Sequence, residues 1–171
     1  SLMYSKTNDN SGQVILVSSS GPGEGKTTTI ANLAITYANL GKKTLLIDSD
    51  LRKPVLHNVF KIDKTPGLTS YLSNSSPIDS IISRTHIENL DFIPSGIVPP
   101  NPSELLDSDN MVTLMRNVKE NYEIILFDSP PLIAVTDAFV LMKQINYFLL
   151  VVMLSHSFHF PHSLISGALK Y

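Results

Sequence analysis

Ser20-Gly21-Pro22-Gly23-Glu24-Gly25-Lys26-Thr27 is the stretch that decides the fold. Before it stands Val14-Ile15-Leu16-Val17, an unbroken apolar run that reads as a strand buried on both faces. After it, Ile30, Leu33, Ala34, Tyr37 and Ala38 repeat at helical spacing until Gly41 stops the helix. Strand, glycine-rich loop and helix, in that order, are the context in which such a P-loop motif holds phosphate. Glycines let consecutive backbone N–H groups turn inward around phosphate oxygens. The helix N-terminus near Thr27 adds a dipole that favours anions. Lys26 can reach the β- and γ-phosphates of a nucleotide, and the Thr27 hydroxyl can ligate Mg²⁺. Glycine is common at the first position of this pattern, where Ser20 stands here. Gly21, Pro22, Gly23, Glu24, Gly25, Lys26, Thr27 and Thr28 form the predicted nucleotide-binding stretch.

Working outward, Thr44-Leu45-Leu46-Ile47 reads as a second buried strand that ends in Asp48. Leu90 to Ile93 is a third, and Ile124-Ile125-Leu126-Phe127 a fourth that ends in Asp128. Tyr147 to Leu154 is an eight-residue apolar run, too short to span a bilayer, and reads as a fifth buried strand. Leu51 to Pro66 looks irregular, with short helical segments near 69–72 and 78–82. Asn101 is placed to cap a helix with Pro102 at its first position, continuing through Met111, Leu114, Met115 and Val118. Ala138 to Ile145 reads as another helix. Strands alternating with helices predict an α/β fold: a mostly parallel sheet with helices on both faces, of P-loop NTPase type. Residues 1–154 are expected to form one nucleotide-binding domain, followed by a divergent or truncated tail over 155–171.

The chain has 171 residues, which suits one domain. With 43% hydrophobic residues it can fill a core, which excludes wholesale disorder. A formal net charge of -2 without a basic patch argues against a nucleic-acid partner. The absence of cysteine excludes a disulfide framework and suits a reducing, cytoplasmic location. Ser1 to Ser11 is polar and carries no secretory signal, so membrane association is expected only through a partner. His156, His159 and His162 are spaced across Pro161, which breaks helical register, and no carboxylate or cysteine joins them. They read as part of a polar-aromatic tail rather than a metal site.

In a parallel sheet the C-terminal strand ends share one edge, where ligands bind. Asp48, Asp50 and Asp128 are therefore expected to face the phosphate loop. Mg²⁺ with phosphates needs only one or two such carboxylates.

These motifs together resemble the bacterial tyrosine kinases, the cytoplasmic kinases of capsule and exopolysaccharide systems. The resemblance rests on the P-loop, on Asp48, Asp50 and Arg52 after the second strand, and on Asp128, Pro130 and Pro131 after the fourth. Leu51-Arg52-Lys53-Pro54, Val98-Pro99-Pro100-Asn101-Pro102-Ser103-Glu104-Leu105-Leu106 and Val135-Thr136-Asp137-Ala138 add to it. It covers about Val14 to Val152. It implies an ATP-dependent, autophosphorylating tyrosine kinase that uses ATP/ADP and Mg²⁺. Lys26, Asp48, Asp50 and Asp128 would be catalytic, and Arg52 would join the nucleotide site. Thr27, Asp48 and Asp128 would hold the metal, and Asp50 would be the base for an incoming tyrosine hydroxyl. The implied partners are a membrane-embedded activator of a polysaccharide export system, tyrosine-containing protein substrates and further copies of the chain in a homo-oligomer. The implied location is the inner face of the cell membrane.

The chain departs from that family at both ends. Members usually carry an arginine-rich oligomerisation helix before the first strand. They usually continue past the fifth strand through a helix, a strand and a tyrosine cluster, whereas this chain runs through Ser155 to His162 to a single Tyr171. The expectation is weak nucleotide binding and little autonomous kinase activity. Two other functions remain: a switch ATPase related to partitioning and positioning proteins, and a degenerate nucleotide-binding docking domain. The switch ATPases usually carry a second lysine at the position of Gly21, which leans against them.

Overall fold

The computed structural model describes residues 12–131, 141 and 145–152. Its elements are β1 (Gln13–Ser19), α1 (Lys26–Asn39), β2 (Thr44–Asp48), α2 (Leu56–Phe60), α3 (Leu68–Leu72) and α4 (Ile78–Ile81). There follow β3 (Ser83–Arg84), β4 (Leu90–Ile93), α5 (Pro102–Leu106), α6 (Asp109–Asn121), β5 (Ile124–Asp128) and β6 (Tyr147–Val151). The strands make one sheet in the order β3-β4-β2-β5-β1-β6. Only the β3–β4 pairing is antiparallel. Parallel neighbours need crossovers, and the helices that supply them cover both faces, as the alternating pattern predicts.

Side chains alternate across the strands, so each strand feeds two cores. Leu45, Ile47, Ile125 and Phe127 join a cluster with Leu68, Leu106, Leu114 and Val118. Val17, Leu46, Ile124 and Leu126 join a second with Ile30, Ala34 and Ala38 of α1 and Phe60 of α2. Leu45, Leu46, Ile47, Ile125 and Leu126 are all fully buried, and each such side chain stabilises the fold by about 1.5–3 kcal/mol. By the same alternation, Asp48 and Asp128 fall on the α1 side of the sheet.

Four details differ from the sequence reading. The helix expected from Pro102 through Val118 is two helices, because Ser108 takes an extended backbone and caps α6, its Oγ accepting from Met111 N–H at 3.3 Å. Asn101 does not cap α5 with its side chain; its amide donates to Glu104 at 2.7 Å instead. The stretch read as irregular contains α2, held by buried Leu56 and Phe60 one turn apart. Among the described residues the last strand lies at the sheet edge and is not buried: Tyr147, Phe148, Leu149 and Leu150 are exposed. An apolar run signals a strand but does not say which layers cover it. The two-residue β3 carries no pattern long enough to read.

Of the predicted helix from Ala138 to Ile145, only Leu141, which is helical and buried, and Ile145 are described. Val135-Thr136-Asp137-Ala138, the three tail histidines and Tyr171 lie outside the described residues. Among the described residues no helix is long and apolar enough to cross a membrane.

Gly67 ties α3 to the loop after β4. Leu68 N–H donates to Pro94 C=O at 2.7 Å and Thr69 N–H to Ser95 C=O at 3.0 Å. A Cβ at Gly67 would strike the Pro94 carbonyl oxygen and the Gly96 nitrogen, both backbone atoms. Gly67→Ala is expected to lower stability by about 1–3 kcal/mol in urea denaturation. An unchanged midpoint would mean that the two segments separate at no cost.

Candidate active site

The C-terminal ends of β1, β2 and β5 open into a cleft of about 630 Å³. Residues 19–27 line it, with Asp50, Arg52, Lys53 and Val55 from the segment after β2 and Pro130 and Pro131 from beyond β5. Gly23 and Gly25 take φ of 79° and 81°, the left-handed region that glycine enters without strain. Gly25 precedes α1, which no side chain caps. The first N–H groups of a helix have no partner within it, which leaves them for an anion.

Lys26 lines the cleft and is ion-paired with Asp128 Oδ1. Asp128 and Asp48 are register partners on adjacent strands, and both are 0% exposed. Neither is among the residues that line the open cleft; Asp128 meets the phosphate loop through its ion pair with Lys26. Among the described residues neither Asp48 oxygen has a hydrogen bond of good geometry, and Asp128 Oδ2 has none. Burial, reinforced by the nearby Asp128 and Asp50 charges, pushes the Asp48 carboxyl up to about 8, against the pull of Lys26 and a weak one from the Leu56 backbone. Burial pushes Asp128 up to about 6, with Lys26 acting in the opposite direction.

This arrangement has a measurable consequence. A carboxyl whose folded pKa is raised keeps its proton in the native state while the unfolded chain releases it. Its contribution to stability therefore falls as pH rises from about 4 to about 8. Asp48→Asn removes that dependence. The variant should gain stability over the parent at pH 8 and much less at pH 5, read from thermal melts of both proteins. An equal difference at the two pH values would show that Asp48 is not held protonated.

Asp50 sits two residues past β2. Its Oδ1 accepts from Arg52 N–H at 3.3 Å and Lys53 N–H at 3.0 Å, which turns the chain and leaves Arg52 and Lys53 lining the cleft. Thr27 lines the cleft, while Thr28 is exposed and does not. Of the residues the sequence singles out, the structure brings Lys26, Asp48 and Asp128 together in one cluster, and Asp50, Arg52 and the phosphate loop around one cleft. The sequence reading named Lys53 only within the Leu51-Arg52-Lys53-Pro54 motif and not as a site residue, and it missed Val55, whose only signal was its place shortly after Asp50.

The donor set fits Mg²⁺. Thr27, Asp48 and Asp128 offer hard oxygens, and two carboxylates carry unused lone pairs. Among the described residues no three His, Cys, Asp or Glu gather as a cation cage. An ion held largely by phosphates and water does not need one.

Residues 12–159 match the AAA-domain family. The chain is 46% identical over 127 residues to the tyrosine-protein kinase YwqD of Bacillus subtilis, covering 74% of this chain and 54% of YwqD. The chain thus spans about half the length of that relative. The VpsO kinase domain superposes with a TM-score of 0.79 at 32% identity, covering 95% of this chain and 78% of that one. The septum site-determining protein MinD of Pyrococcus horikoshii, solved with Mg-ADP, gives 0.69 at 27% identity, covering 82% of this chain and 57% of MinD. The kinase domain is the nearer of the two structures in backbone and in sequence. The chain belongs to the AAA-domain family and, within it, to the bacterial tyrosine-kinase branch.

Proposed function

We propose that this chain is the catalytic domain of an ATP-dependent protein tyrosine kinase that regulates synthesis and export of capsular polysaccharide or exopolysaccharide. The observation that carries the reading is the composition of the cleft. A phosphate loop with its lysine lines it together with Asp50, Arg52 and Lys53, so donor and acceptor chemistry share one space.

The backbone N–H groups of the glycine-rich loop and the start of α1 bind the nucleotide phosphates. Lys26 leaves Asp128 for the phosphates and offsets the charge that grows on them during transfer. Thr27, Asp48 and Asp128 would hold Mg²⁺, which neutralises phosphate charge when bound. Asp50 accepts the proton from a tyrosine hydroxyl whose unperturbed pKa is about 10. The tyrosine oxygen forms a bond to the γ-phosphorus, the bond from that phosphorus to the β–γ bridging oxygen breaks, and ADP leaves. Arg52 and Lys53 lie beside Asp50, where cations favour the phenolate that develops.

The partners that fit this reading are a membrane-embedded activator, tyrosine-containing proteins and further copies of the chain, at the inner face of the cell membrane. The test is incubation with labelled ATP, Mg²⁺ and the cytoplasmic tail of a cognate activator. Label on tyrosine is expected. Free phosphate alone would make the protein a switch ATPase like the partitioning proteins, and neither product would make it a docking module.

A further inference from the structure

Ser20 stands where glycine is common, and the nucleotide reading does not use it. The structure gives it a partner. Glu24 folds back over the start of its own loop, and its Oε2 accepts from Ser20 N–H at 2.8 Å and Gly21 N–H at 3.0 Å. Its Oε1 accepts from Ser20 Oγ–H at 2.5 Å. Ser20 N–H also reaches the Val151 carbonyl at 3.3 Å, and Ser19 Oγ–H donates to Gly21 C=O at 2.8 Å. Both Ser20 and Glu24 line the cleft.

We propose that Glu24 is a positioning residue, which with Ser20 braces the phosphate loop in its binding shape before nucleotide arrives. The physical need is plain. Gly21, Gly23 and Gly25 give the loop freedom to approach phosphate, and the same freedom must be lost on binding. Three hydrogen bonds to one carboxylate fix Ser20 and Gly21 in advance, so less order has to be imposed by the ligand. They also satisfy the two N–H groups at the loop entrance, leaving those nearer α1 for phosphate. Ser20 strengthens the brace because its hydroxyl adds a bond that glycine cannot make.

Glutamine in place of Glu24 tests geometry apart from charge. In Glu24→Gln the amide oxygen, set where Oε2 lies, can accept both N–H groups, and the amide nitrogen can donate to Ser20 Oγ. The inference rests on the cleft binding nucleotide, so Lys26→Ala is run beside it. Affinity for Mg-ADP is measured by calorimetry on the whole chain, with circular dichroism to confirm the fold.

Glu24→Ala is expected to weaken binding about tenfold, and Glu24→Gln to recover most of that loss. Ser20→Ala should weaken binding less than Glu24→Ala, and the double variant should bind no worse than Glu24→Ala alone, since both act through one brace. Undiminished affinity in Glu24→Ala, or equal losses in the Ala and Gln variants, overturns the brace. If Lys26→Ala also binds normally, the nucleotide reading itself falls. If only Lys26→Ala loses binding, the brace alone is wrong.

Discussion

Lys26→Ala is expected to abolish Mg-nucleotide binding while the chain stays folded. Within residues 19–27, which line the cleft, Lys26 is the only side-chain cation. The structure adds a second consequence, because Lys26 is also the ion-pair partner of buried Asp128. Removing one member of a buried pair leaves the other uncompensated, which typically costs about 3–5 kcal/mol. Asp128 has an outlet: its carboxyl already sits at about 6, so in the variant it takes up a proton instead of remaining a bare buried charge. Folding is therefore best checked below pH 6, and Lys26→Met, which keeps the packing of the stem, serves as a second variant. Calorimetry showing unchanged ATP affinity in either folded variant would remove the phosphate site from this cleft.

The second large effect is on transfer rather than binding. Asp50→Asn should lower tyrosine phosphorylation by a factor of about 10²–10⁴, the usual contribution of a general base. ATP affinity should change little. The structure makes this substitution clean, since Asp50 Oδ1 accepts two backbone N–H groups and an asparagine oxygen can accept the same two. The turn that carries Arg52 and Lys53 is kept while the proton acceptor is lost. Asp128→Asn should instead weaken both binding and transfer, because it acts through Lys26 and the metal. Full phosphorylation by Asp50→Asn would rule Asp50 out as the base.

The phosphate loop and the strands were legible because their signals are local. A continuous run such as Leu45-Leu46-Ile47 can satisfy its surroundings only between two apolar layers. The carboxylates after β2 and β5 were legible for the same reason, as each ends such a run. What stayed hidden depends on partners far along the chain. Nothing in the spacing of Lys26 and Asp128 announces an ion pair across 102 residues. Burial of Asp48 and Asp128 away from the open cleft depends on how α1 sits over the sheet. Ser108 was hidden for another reason: its cap was outweighed by an apolar repeat that continues in phase on either side. The exposure of β6 is likewise a property of the layer above it, not of its own residues.

The pairing of Asp48 with Asp128 across neighbouring central strands also makes the site a gauge of correct assembly. Strand side chains alternate, so a slip of β5 by one residue would turn Asp128 to the opposite face, away from Lys26. A misassembled molecule could still bury much of its oil but would lose its grip on nucleotide. A ligand that binds only the correct form stabilises it by about 2.7 kcal/mol at a hundred times its dissociation constant. ATP in the surrounding solution would then act as a proofreader, drawing newly made chains toward the one strand alignment that can also do chemistry.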